Sequence, residues 1–150
     1  MTKISPATIH HVPLDVFVGS WKTEGEVIGV AEGSSLKFTA TDTYEWLPGG
    51  YFLFHRFDAD MPDGNVKGIE VIGYSTESQT FFLYSFDNLG NTTLLQGKID
   101  DERWTFIGES IRFTGSFSEN GRTLSGLWEI RSSEGAVWQP WMNVTLRKIR

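Results

Sequence analysis

The stretch "TFFLYSFDNLGNTTLLQGKIDDERWTFIGESIRFTGSFSENGRTLSGLWEI", residues 80–130, decides the fold. Short apolar runs are broken by polar punctuation at "NLGN" (88–91), "DD" (100–101), "ES" (109–110) and "ENGR" (119–122). That interval is the one consecutive β-hairpins produce. In a hairpin, residues equidistant from the turn lie opposite each other and share a face of the sheet. Centring turns on Leu89-Gly90, Asp100-Asp101, Glu109-Ser110 and Asn120-Gly121 therefore assigns every side chain to a face. One face takes Phe82, Tyr84 and Phe86, then Leu95 and Ile99, then Trp104 and Phe106. It continues with Phe113, Phe117, Leu124, Trp128 and Ile130. The opposite face takes Lys98, Arg103, Arg112 and Glu129. Successive turns that yield one apolar face agree with each other, which is stronger evidence than any single strand.

Working outward, turn signals continue at "TESQ" (76–79), "MPDGN" (61–65), "PGG" (48–50), "AEGSS" (31–35) and "SSEG" (132–135). Parity carried backwards puts Ile69 and Val71 inside, facing Phe57 and His55. It then places Asp42, Tyr44 and Trp46 inside, followed by Trp21, Thr23 and Val27. Near the end, Gln139-Pro140 marks a bulge, after which Met142, Val144 and Leu146 face in. Only "PLDVFVG" (13–19) offers a helical turn, and residues 1–13 read as irregular. Sequential hairpins around a ring remove sheet edges. The expected fold is all-β: a single closed antiparallel up-and-down barrel of about ten strands, one domain over residues 1–150.

Composition bounds the function. The chain has 150 residues with six Trp and eleven Phe, enough to bury a core without staples. It has no Cys, which excludes disulfides, thiolate metal sites and a cysteine nucleophile. The net charge of −6 is spread along the chain, which argues against a nucleic-acid partner. There is no apolar stretch long enough to span a bilayer, and "MTKISPATIHHVPLD" does not read as a signal peptide. A cytoplasmic protein without a membrane partner is expected. No phosphate-cradling Gly-rich loop and no G-x-S-x-G elbow are visible. His10 and His11 fall in the irregular segment, and no metal-ligand spacing is present. Neither a metal nor a cofactor is expected.

The inner face concentrates its polar groups in one part: Asp42, Tyr44, His55 and Tyr84, with Thr23 nearby and Trp46 and Trp128 as flat walls. An apolar cavity with a few convergent polar groups is a binding site by default. The expected function is binding of a small, largely apolar or aromatic molecule inside the barrel. An alternative is acid–base catalysis of the isomerase, cyclase or dehydratase type, with His55 as base, Asp42 orienting it, and Tyr44 or Tyr84 as acid. Arg56 and Glu70 pair on the outer face in this register. A bulge that reversed the parity of the third strand would bring both inside, as anchors for an anionic ligand. The outer face also gathers Phe52, Phe54, Ile72 and Leu83. Such a patch is unusual on a monomer. Either the N-terminal segment covers it or it joins two copies in a homodimer. In a third reading the barrel is filled and acts through this outer face.

"FVGSW" (17–21), a helical turn and then Gly19-Ser20-Trp21 opening the first strand, resembles the lipocalin and fatty-acid-binding group, the calycins. That resemblance implies that Trp21 plugs one end of the barrel, with a basic side chain from "VTLRKIR" (144–150), Arg147 or Lys148, across its ring. A resemblance over nearly the whole chain is to the bacterial domain-of-unknown-function family 1579. It is carried by "FVGSWKTEGEV" (17–27), "LPGGYFLFHRFDADMPDG" (47–64), "KGIEVIGYSTESQTFFLYSFDNLGN" (67–91), "DDERW" (100–104) and "SENGRTLSGLWEIRSSEGAVWQPWMNVTLRK" (118–148). It implies a lipocalin-like barrel and carries no catalytic residues over. Haem-binding, nitrobindin-like barrels bring a His from a late strand to the iron. This sequence has none after His55, so the resemblance does not imply haem.

Overall fold

Each hairpin that the turn signals demand is formed in the computed structural model, which describes residues 3–31 and 34–150. The "AEGSS" turn at 31–35 lies in part outside the described residues. Strands β1 (Gly19–Ala31), β2 (Ser34–Trp46), β3 (Leu53–Met61), β4 (Gly64–Ser75) and β5 (Thr80–Asp87) make the first half. Strands β6 (Thr92–Asp100), β7 (Arg103–Ile107), β8 (Ile111–Ser118), β9 (Thr123–Ile130) and β10 (Gln139–Lys148) make the second. Each pairs antiparallel with its sequence neighbours, and β1 pairs with β10, so the sheet closes into a barrel. A short 3₁₀ helix, Val12–Phe17, precedes β1. The shift in β10 falls between Pro140 and Met142, and beyond it Met142, Val144 and Leu146 are buried as expected.

The faces depend on turn length, because a change of one residue flips a strand. Two turns in the expected register are wrong by one. "DNLGN" is a three-residue loop, Phe86 pairing with Thr92 and Leu83 with Leu95. Gly90 has φ +87°, and the Asp87 carboxylate accepts hydrogen bonds from the backbone of Leu89 and Asn91. A three-residue loop closed by a left-handed Gly is the usual alternative to the two-residue turn. In consequence β5 turns over. Phe81 and Leu83 are buried, while Tyr84 and Phe86 are 45% and 44% exposed. "MPDGN" is a two-residue turn at Pro62-Asp63, with Met61 paired to Gly64. That reverses β4 against β3, so Glu70 and Ile72 point inward and Ile69 and Val71 outward. The two slips cancel, and β1, β2 and β3 keep their expected faces. At "DD" the turn residues are Asp101 and Glu102, both with positive φ, so Asp100 pairs with Arg103. That moves the register by two and leaves every face unchanged.

The outer apolar patch is corrected by the same argument. Ile72 and Leu83 are 1% and 4% exposed and belong to the core. What stands outside is a cross-strand row, Phe54, Val71, Tyr84 and Leu94, running over β3 to β6, with the exposed Phe52 beside it.

"FVGSW" closes one end. The Trp21 indole is 1% exposed and donates to the Phe17 carbonyl at 2.8 Å. Lys148 Nζ lies 4.9 Å from the centre of its ring and donates to the Val16 carbonyl. Lys148, not Arg147, is the basic lid. Arg147 lies one residue away on the alternate face, 3.7 Å from Glu24 and largely exposed. Gly19 has φ +138°, and a Cβ there would strike the Arg150 carbonyl. Only Gly lets the C-terminal segment seat against the start of β1.

Candidate functional site

The Trp21 plug and a packed aromatic layer fill part of the barrel. Phe17, Trp104, Phe81 and Phe106 stack edge-to-face or in parallel with centroids 5.0–5.6 Å apart. Beside this layer a cavity of about 210 Å³ remains open. Phe113 packs onto Gly115 and Gly126, cross-strand partners whose missing side chains leave room for its ring. Much of the wall is apolar, with Ile72, Leu83, Phe106, Leu124, Val144 and Leu146. The polar groups gather on β1 to β4: Thr23, Asp42, Tyr44, His55 and Glu70.

Four of these side chains, Thr23, Asp42, His55 and Glu70, form one hydrogen-bonded chain. Tyr44 is the direct cross-strand partner of His55, and His55 is the partner of Glu70. Asp42 is diagonal to His55 and pairs with Trp21 on β1. His55 Nε2 meets Asp42 Oδ1 at 2.7 Å, and His55 Nδ1 meets Glu70 Oε1 at 2.6 Å. Thr23 Oγ1 donates to Asp42 Oδ2 at 2.5 Å. The Tyr44 ring stacks flat on the imidazole, with centroids 3.9 Å apart and planes 7° apart.

Electrostatics fix the protonation. Burial is the largest influence on His55 and by itself lowers its pKa. The Glu70 charge, the hydrogen bonds to Asp42 and Glu70, and the Asp42 charge together outweigh it and raise the pKa from 6.5 to about 9. His55 is therefore an imidazolium at neutral pH, with both N–H groups held by carboxylates. The Tyr44 phenol is pushed well above its ordinary range, first by burial and then by the Asp42 and Glu70 charges, so it stays a neutral hydroxyl. The two carboxylates occupy opposite ring nitrogens and the three groups do not converge on one point. Among the described residues no cluster has the arrangement to hold a metal ion.

The expected site residues divide clearly. Thr23, Asp42, Tyr44, His55 and Trp128 line the cavity. Glu70 joins them, against the outer-face reading, because of the two-residue turn at Pro62-Asp63. Arg56 stays outside, paired with Ile69 and stacked over the Phe54 ring. Hence an Arg56–Glu70 anchor for an anion does not exist. Tyr84 is on the outer face and leaves the site. Trp46 is buried but faces the N-terminal segment, where its Nε1 donates to Asp15 and its ring meets His11. Phe17, Phe57, Ala40 and Ala59 line the cavity as well. Parity puts Phe57 inside, and it is there. The small side chains of Ala40 and Ala59, cross-strand partners on β2 and β3, help leave the space empty.

Comparison with known proteins agrees with this architecture. A family profile described as "Protein of unknown function (DUF1579)" matches residues 5–133. No curated protein matches the sequence. Among solved structures, Rv2717c from M. tuberculosis superposes with a TM-score of 0.66 at 14% identity, over 95% of this chain and 99% of that one. The S-type phycobiliprotein lyase CPES from Guillardia theta superposes with a TM-score of 0.56 at 10% identity, over 91% and 90%. At these identities the likeness carries the fold.

Proposed function

The chain belongs to the DUF1579 family, and for this member we propose that the barrel binds a small, largely apolar molecule in its interior. The observation that carries the reading is the cavity itself: about 210 Å³, apolar over most of its wall, with one polar end. An apolar cavity of roughly 150 Å³ already accepts benzene, and drug-sized pockets begin at about 300 Å³. The space therefore suits a molecule of one ring or a short branched chain. Trp128 supplies a flat aromatic wall, and the Thr23–Asp42–His55–Glu70 chain sets the orientation.

Acid–base catalysis by His55 is the weaker reading. A general base needs a free lone pair, and both nitrogens of His55 are committed to carboxylates. Native mass spectrometry of freshly purified protein tests the binding reading. A retained small molecule, absent after Ala59→Phe, supports it. A protein that carries nothing, and that no single-ring probe stabilises, rejects it.

For the outer row of half-buried Phe54 and exposed Tyr84 and Leu94, with Phe52, we propose a second copy of the chain as the partner. A straight apolar row across antiparallel strands is self-complementary under a twofold axis. Sedimentation should show a dimer that Leu94→Lys dissociates; a monomeric wild type discards the idea.

A further inference from the structure

The cavity has an unbalanced charge. Asp42 and Glu70 are two carboxylates, and His55 is the one cation between them. No Lys or Arg lines the cavity among the described residues. The polar end therefore carries a net charge of about −1, because the single imidazolium offsets only one of the two carboxylates. A buried net charge is costly unless something pairs with it.

The free hydrogen-bonding capacity points the same way. Asp42 uses one oxygen on Thr23 and the other on His55. Glu70 uses only Oε1, and among the described residues Oε2 has no side-chain partner. Tyr44 is 8% exposed and lines the cavity, and no partner among the described residues meets its hydroxyl. Yet no fully enclosed side-chain atom is left unsatisfied, so these two oxygens border open space. The Glu70 oxygen accepts, and the Tyr44 hydroxyl can accept as well as donate, beside a site of negative charge.

We propose that the occupant is a small organic cation: an amine carried on an apolar body of about one ring, its ammonium hydrogen-bonded to Glu70 Oε2 and the Tyr44 oxygen. The inference rests on the cavity being a binding site, and it names the chemical class that the site takes. A carboxylate ligand would meet two like charges, and the one cation, His55, already has both ring nitrogens on carboxylates.

Four probes of matched size test the inference at pH 7: benzylamine, benzyl alcohol, benzoate and toluene. Binding is read by calorimetry and by the change in intrinsic Trp fluorescence. Benzylamine should bind at least tenfold more tightly than benzyl alcohol, and benzoate should not bind. Glu70→Gln should abolish the preference for the amine over the alcohol. Tyr44→Phe keeps the stack on His55 and guards against a folding defect in the Glu70 variant; it should weaken benzylamine about tenfold to a hundredfold, the loss of one hydrogen bond to a charged group. If toluene or benzyl alcohol binds as tightly as benzylamine, or if benzoate binds, the cavity reading survives and the cation inference fails. If none of the four binds, the cavity reading fails with it.

Discussion

Raising the pH from 6.5 to 9.5 should destabilise this protein through His55. The folded-state pKa of about 9 lies above the unfolded value of 6.5. The folded chain therefore binds more protons than the unfolded chain between those values. The stabilisation is fully present below pH 6.5 and is lost as pH rises through 9. A pKa raised from 6.5 to about 9 is worth about 3 kcal/mol over the whole window. That is a large share of the 5–15 kcal/mol typical of a domain. With a urea m-value of about 2 kcal/mol/M, the midpoint should fall by about 1.5 M between pH 6.5 and 9.5. Other groups titrate near the window. Burial and the neighbouring His10 lower the His11 pKa, which adds stability as pH rises towards 6.5 and nothing above it. Lys148 is lowered mainly by burial, which opposes the loss at the alkaline end. Both remain in His55→Gln, so the difference between wild type and variant isolates His55. If that variant does not fold, the imidazole resonances of the wild type give the pKa directly. Equal urea midpoints at pH 6.5 and 9.5, together with an imidazole that titrates near 6.5, would refute the doubly paired imidazolium.

Three further outcomes follow from the geometry. Leu83→Asp buries an unpaired charge and should cost more than about 4 kcal/mol or prevent folding, whereas Tyr84→Asp, one residue along, should change stability by less than about 1 kcal/mol; thermal melts distinguish them, and similar losses would overturn the register of β5. Lys148→Met removes the cation over Trp21 and the contact to Val16 and should cost about 1 kcal/mol, against under about 0.5 kcal/mol for Arg147→Ala, measured by urea unfolding. Ala59→Phe occupies the cavity, and its ring should leave the melting temperature unchanged or raised while single-ring probes no longer bind; a lowered melting temperature would mean that the space is too narrow for a ring.

How much of this was legible in the chain depends on which turns a sequence reveals. "ENGR" and "ES" place their centres where expected, and the two-residue slide at "DD" keeps parity. "NLGN" misled because a left-handed Gly closes either a two-residue or a three-residue loop, and only the Asp87 carboxylate capping Leu89 and Asn91 selects the longer one. "MPDGN" misled in the opposite direction. Two slips of one residue exchanged the faces of β4 and β5 and no others. That is why Tyr84 was expected inside, and why Glu70 was not.

The sequence by itself determined the closed barrel, its hairpin order and the placement of Trp21, Asp42, Tyr44, His55 and Trp128 on one face. These follow from period-two patterning and turn spacing, which are local and repeated. Only the tertiary structure decided that Glu70 completes the pair around His55, that Lys148 rather than Arg147 covers the plug, and that the interior is open. Each of these depends on contacts between strands distant in sequence. A parity pattern assigns a side chain to a face, but only the packing of the assembled ring sets which charges meet and how much space they leave.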